Sequence, residues 1–318
     1  MKGKILILLL VLLPALPLAA RIEPSGTYLY AQKDGEDLCL DIYEPADSAR
    51  CFVQIDSVTS VRKPTVLFVF GGGFVMGSRD HEHYNAWFES LVSEGFRVVS
   101  IDYRLGLKGV GKMGVAQRDK LDRAIHMAVE DIFSSVLFLR ENKEELGVDT
   151  GNIVLAGSSA GAISVLQADY ELCNRTSYAA ALPEGFRFKG VMSFAGAIYS
   201  TKGPVKYEKQ SPAPTLFLHG TADKLVNYDQ IRFLQIGFFG TNRLVERFSK
   251  FGYSYNVYRF KDHGHEIASS MPWTLPLQLQ FLMTNVIKGV SSVIDTTVDD
   301  PRIEAPEEWK RGPEAFYK

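Results

Sequence analysis

Short apolar runs bounded by turn residues recur along this chain, at 65–70, 97–101, 153–156, 191–194, 215–218 and 255–260, and they are rich in Val, Ile, Leu and Phe. Runs this short, apolar at successive rather than alternate positions, predict strands buried on both faces. Between them the spacing of apolar residues changes to three and four. Val129, Ile132, Phe133, Val136 and Leu137 fall on one helical face. Further helices are predicted over 84–93, 160–172, 228–237 and 273–287, and two strands, 27–31 and 38–43, open the chain as an antiparallel pair. Strands alternating with helices give an α/β fold, a mostly parallel central sheet with helices on both faces.

Two stretches fall near the expected carboxyl edge of that sheet, where open α/β folds bind ligands. One is the Gly- and Lys-rich segment 106–113; the other is 238–248. Either could line a substrate pocket. From about Ser291 the chain turns polar and Pro-bearing, which predicts an extended or partly mobile tail. The 318 residues are 46% hydrophobic, with no repeat and no flexible linker, so one large core is expected.

The amino terminus changes the picture. Lys2 and Lys4 precede an apolar run over 5–13, and Ala19-Ala20 closes it. Charge, apolar stretch and small residues in that order predict a signal peptide, too short for a comfortable permanent span, with an uncleaved anchor as the alternative. The expected organisation is a signal peptide at 1–20, one domain at 21–290 and a polar tail at 291–318. The mature protein is expected to be secreted or periplasmic, without a stable membrane span. Basic and acidic residues number 35 and 37 and are scattered, which leaves no footprint for nucleic acid. Export permits a disulfide, and Cys39–Cys51 would close a short loop; three unpaired thiols, with Cys173, is the equal alternative.

Candidate chemistry concentrates after four of the strands. The run Ile153-Val154-Leu155-Ala156 leads straight into Gly157-Ser158-Ser159-Ala160-Gly161 and then a helix. Small residues at Gly157 and Gly161 permit a tight strand–turn–helix that lifts Ser159 above the sheet, at the favourable end of a helix dipole. Ser158 points away from the site. Upstream, Phe70-Gly71-Gly72-Gly73 also follows a strand. Backbone N–H groups of Gly72 and Gly73, with that of Ala160, could face a developing oxyanion, where one donor is worth roughly 3–4 kcal/mol. Downstream come Asp223 in the loop 219–223 and the pair His263 and His265 around Gly264. The order Ser159, Asp223, His265 is that of a nucleophile, an acid and a base. Either histidine could be the base; the glycine directly before His265 favours it. His219 reads as a structural hydrogen-bonder. His81 and His83 lack the helical His-Glu-x-x-His spacing, so neither a metal nor a cofactor is expected.

Taken together, 65–73, Ser100-Ile101-Asp102-Tyr103-Arg104-Leu105, Asp149 with 157–161, the loop 219–223 and Gly264-His265 resemble the α/β-hydrolase carboxylesterases. The resemblance extends over roughly 45–288 and is nearest to hormone-sensitive-lipase-like and bacterial feruloyl/acetyl-xylan esterases. It implies ester hydrolysis through an acyl-enzyme, with a small-molecule or carbohydrate-linked ester as substrate, acetyl or feruloyl esters of plant polysaccharide among them. An exported peptidase of the same fold, or an inactive binding module on it, are the alternatives. The chain departs from the family at Phe70, where a loop-bracing histidine is usual. Asp102-Tyr103-Arg104 matches a family segment, and its charges read as a structural ion pair that holds loops near the site.

Overall fold

The computed structural model describes residues 22–111 and 117–312. The leader at 1–20 lies outside the described residues, as do 112–113 of the predicted pocket segment. Among the described residues the strands are β1 (Gly26–Lys33), β2 (Glu36–Tyr43), β3 (Phe52–Gln54), β4 (Ser60–Arg62), β5 (Thr65–Val69), β6 (Arg97–Ile101), β7 (Ile153–Ser158), β8 (Gly190–Phe194), β9 (Ala197–Ser200), β10 (Thr215–Gly220), β11 (Gln230–Phe233), β12 (Ile236–Gly240), β13 (Tyr255–Phe260) and β14 (Val293–Val298). Nine of them form one sheet in the order β1-β2-β6-β5-β7-β8-β10-β13-β14. β1 and β2 are antiparallel to their neighbours, and every pairing from β6 to β14 is parallel.

Helices cover both faces: α1 (Asn85–Ser93), α2 (Arg118–Glu141), α3 (Lys143–Leu146), α4 (Ala160–Asn174), α5 (Thr241–Phe251) and α6 (Leu275–Phe281). β5, β7, β8 and β10 are buried along their whole length, as the unbroken apolar runs predict. α4 packs on β7 and β8 and is crossed by α2, so almost all its residues are buried. From β5 the chain steps to β6 on one side, then crosses back to β7 on the other. The reversal opens a crevice between the carboxyl ends of β5 and β7, where such sheets bind ligands.

Two expectations fail. Residues 228–237 were expected as a helix, but β11 and β12 form a hairpin there, and β12 pairs with β9 in a separate three-stranded sheet. Ile231 lies opposite Phe238 and Phe233 opposite Ile236, so one face is apolar at every second position. That period is a strand's. Leu234 takes the left-handed turn position, φ 54°, where Gly or Asn would have announced a hairpin. The expected tail at 291–318 also fails, because Val293–Val298 extends the main sheet as β14, parallel to β13. The domain therefore runs past residue 290. Cys39, Cys51 and Cys173 are all free thiols, so the Cys39–Cys51 bridge does not form.

The contact between α2 and α4 includes a partly buried ionic cluster. His126 Nε2 lies 3.3 Å from Glu171 Oε1, its Nδ1 lies 3.3 Å from Asp122 Oδ1, and its ring stacks on Tyr178. Burial alone would lower the imidazole pKa, but bonds to Asp122 and Glu171 prevail and raise it from 6.5 to about 10. The folded state thus keeps a proton that the unfolded chain releases. This contribution is complete below pH 6.5 and disappears as pH rises through about 10. The unfolding free-energy gap between wild type and His126→Gln should therefore be largest near pH 6 and close towards pH 10, as read from urea midpoints. A gap that stays constant with pH would remove this assignment.

Candidate active site

Ser159 sits at the end of β7 and directly before α4, with φ 52° and ψ −116°, outside the usual regions for an L residue. Two glycines make this turn possible. A Cβ on Gly157 would lie 2.3 Å from the carbonyl of Gly161, and one on Gly161 would lie 2.0 Å from the carbonyl of Val69 at the end of β5. The turn therefore lies hard against the neighbouring strand, and Ser159 N–H donates to the Phe194 carbonyl at 2.9 Å. Ser158 turns inward and donates to the Ala268 carbonyl at 2.8 Å, as its position in the motif predicts.

Past β5, the glycine loop lies beside this turn. Gly72 has φ 122°, and a Cβ there would fall 1.9 Å from the Met76 carbonyl. Its own carbonyl accepts the N–H groups of Val75 and Met76. Gly73 and Ala160 line a pocket of about 130 Å³ together with Ser159, and Gly72 forms the bend next to Gly73. Phe70, standing where a histidine is usual in the resembled family, is buried and lies 4.5 Å from the Tyr103 ring. Tyr103 donates to the Phe70 carbonyl at 3.1 Å, and Gly71 N–H donates to the Tyr84 hydroxyl at 3.1 Å. Two tyrosines brace this loop.

The structure brings Ser159, His265 and Asp223 into one relay. Ser159 Oγ is 2.7 Å from His265 Nε2, and His265 Nδ1 is 2.7 Å from Asp223 Oδ2. His263 is not at the serine; its Nδ1 pairs with Glu266 at 2.8 Å. Asp223 is buried and has a full set of donors. Its Oδ1 accepts the N–H groups of Leu225 and Val226, and its Oδ2 also lies 3.2 Å from His219 Nε2. His219 Nε2 is 2.9 Å from the Val226 carbonyl, so that nitrogen carries the proton and Nδ1 accepts from Thr241. Burial pushes the Asp223 carboxyl up, but the charge of His265 and the bonds from both histidines outweigh it and hold the pKa at about 2.

The pocket walls come from elements distant in sequence. Phe238 on β12 and Leu107 belong to the two segments expected there, whereas Leu121, Ile163, Leu225 and Val226 were not anticipated. Such residues read as ordinary core, and nothing in the sequence sets them apart. Asp102 and Arg104 do not pair with each other. Asp102 receives Arg79 at 2.7 Å, while Arg104 reaches Asp131, Glu130 and Asp34. Among the described residues no group of His, Cys, Asp and Glu is placed to hold a metal ion, and no helix is long and apolar enough to cross a membrane.

Sheet order, strained turn and relay are those of the α/β-hydrolase fold. Comparisons with known proteins point the same way. The BD-FAE family model matches residues 52–198. The chain is 28% identical over 154 residues to gut esterase 1 of Caenorhabditis elegans, covering 48% of this chain and 24% of that protein. It is 34% identical over 98 residues to esterase LipI of Mycobacterium tuberculosis, covering 31% of this chain and 26% of that protein. The match thus spans about a quarter of each curated relative. Esterase 2 of Thermogutta terrifontis, solved with propionate bound, superposes with a TM-score of 0.59 at 21% identity, over 82% of this chain and 94% of that one.

The crowding at Gly72 can be separated from its backbone strain. Gly35 also has positive φ, 81°, but a Cβ there would meet nothing within 4 Å. Gly35→Ala should lose about 1 kcal/mol of stability from strain alone, and Gly72→Ala at least about 2 kcal/mol more. Urea denaturation measures both. Equal losses would mean that the close backbone approach does not constrain the loop.

Proposed function

We propose that this chain is an exported serine carboxylesterase acting through an acyl-enzyme. The observation that carries the reading is the unbroken pair of 2.7 Å contacts from Ser159 through His265 to Asp223. Ser159 Oγ attacks the ester carbonyl as His265 Nε2 takes its proton. Asp223 stays ionised, fixes the ring with Nδ1–H towards itself and stabilises the imidazolium. The N–H groups of Gly72, Gly73 and Ala160 donate to the oxyanion, which lies at the amino end of α4. His265 then protonates the departing alcohol, and water deacylates Ser159 by the reverse sequence. No cofactor takes part.

A pocket of about 130 Å³ with apolar walls fits a short acyl chain better than a substituted cinnamoyl ring. Acetyl esters, of small alcohols or of plant polysaccharide, are therefore favoured over feruloyl esters. The propionate bound in the Thermogutta terrifontis esterase supports a short acyl group. The esterase names of the curated relatives support the reaction class. Export rests on the leader over 1–20, which would place the mature enzyme outside the cell or in a periplasm.

Ser159→Ala should lower kcat/KM for p-nitrophenyl acetate by roughly 10⁴-fold or more, and Asp223→Asn by roughly 10³–10⁴-fold. A fluorophosphonate probe should label wild type and leave Ser159→Ala unmarked. Across acetate, butyrate, octanoate and feruloyl esters the rate should fall with acyl size. Labelling that survives in Ser159→Ala would reject the nucleophile, and a preference for feruloyl esters would reject the acetyl assignment.

A further inference from the structure

The chain beyond the main sheet returns across the active-site loop. β14 runs parallel to β13, so both end at the same edge of the sheet. The loop holding His263 and His265 leaves from β13, and residues 299–312 leave from β14 beside it. Lys261 N–H donates to the Val298 carbonyl at 2.9 Å, and Lys261 pairs with Asp299 at 2.7 Å, so the two chains are joined where they leave the sheet. Ile303 then packs on the core, and the turn Glu307–Lys310 lies on the short helical turn His265–Ser269.

At the point of contact the fit is close. A Cβ on Gly264 would lie 2.2 Å from the Trp309 carbonyl, so the glycine before His265 is the residue that lets this backbone approach. The Trp309 ring stands 6.5 Å from the His265 ring, centre to centre, tilted by 37°. Trp309 keeps 37% exposure, whereas His265 is only 5% exposed. The indole, partly in solvent, therefore stands beside the buried imidazole, whose Nε2 and Nδ1 bond Ser159 and Asp223. An imidazole with two good bonds can still rock about the axis joining its two nitrogens; a neighbouring ring limits that motion and excludes water.

We infer that Trp309, carried over the site by the carboxyl-terminal segment, is a positioning residue that holds the His265 ring in line between Ser159 and Asp223. The inference rests on the esterase reading for its consequence, but the ring contact can be observed without any substrate. An imidazolium quenches indole fluorescence at contact range, whereas neutral imidazole does so weakly, so emission from Trp309 reports protonation of His265. Other charged groups near the pair are Asp223, Asp262, His263 and Glu266 on the enzyme body, with Glu307 and Lys310 on the segment itself. His263→Gln therefore serves as a control for the neighbouring ring.

The experiment uses the full chain. Wild type should show a pH-dependent step in tryptophan emission that is absent in Trp309→Phe and in His265→Gln and persists in His263→Gln. Trp309→Ala should lower kcat for p-nitrophenyl acetate about tenfold with KM little changed, and Trp309→Phe should restore most of it. Gly264→Ala should reproduce the loss in kcat and speed tryptic cleavage after Arg302 and Lys310, because the added methyl displaces the segment. An active wild type without the emission step, or a folded Trp309→Ala with unchanged kcat, overturns the positioning role and leaves the esterase reading standing. A wild type that shows the step but hydrolyses no ester overturns the esterase reading and the role with it. Loss of kcat in Trp309→Ala that phenylalanine does not restore also overturns the role.

Discussion

The site depends on two backbones meeting without side chains between them. Gly161, the second residue of α4, lies against the Val69 carbonyl at the end of β5, and Gly71 lies against Ser158 and Ser159. Any side chain at Gly161 would have to displace β5 or α4, and both are buried in the centre of the molecule. The strained backbone of Ser159 persists because these surroundings determine it from both sides. The same contact brings the glycine loop and the serine to one crevice. It is a constraint of shape, and the chemistry is placed on top of it.

A second constraint is electrostatic. A carboxylate as buried as Asp223 is tolerable only when its lone pairs are filled. Leu225 and Val226 fill one oxygen through their backbone N–H groups, and His219 and His265 share the other. Thr241 in turn fixes the proton of His219 on the side facing Asp223. The pair Ser159–His265 is thus the exposed end of a longer buried chain of hydrogen bonds that begins at the start of α5.

Much of this was legible in the residues. Parallel strands reveal themselves as unbroken apolar runs, so β5, β6, β7, β8 and β10 were readable. The tight turn at Ser159 was readable because glycine is the only residue that fits at Gly157 and Gly161. Legibility ended where a local signal was missing. The β11–β12 hairpin turns at Leu234-Gln235, a pair that does not announce a turn, and its apolar face has a strand's period over too few residues to outweigh a helical reading. β14 is polar on most of its exposed positions, because an edge strand needs only partial burial, and so it resembled a tail. The roles of Tyr84, Tyr103 and Trp309 exist only in three dimensions. Each is an ordinary aromatic until the loop it touches is in place.

The exchange of a histidine for Phe70 has an effect on how the loop behaves in different media. A loop tied by imidazole would change its bonding when that ring gains or loses a proton near neutrality. Here the ties are phenol hydroxyls, and burial raises the pKa of Tyr84 beyond its already high ordinary value. The glycine loop should consequently keep one shape from mildly acid to mildly alkaline surroundings.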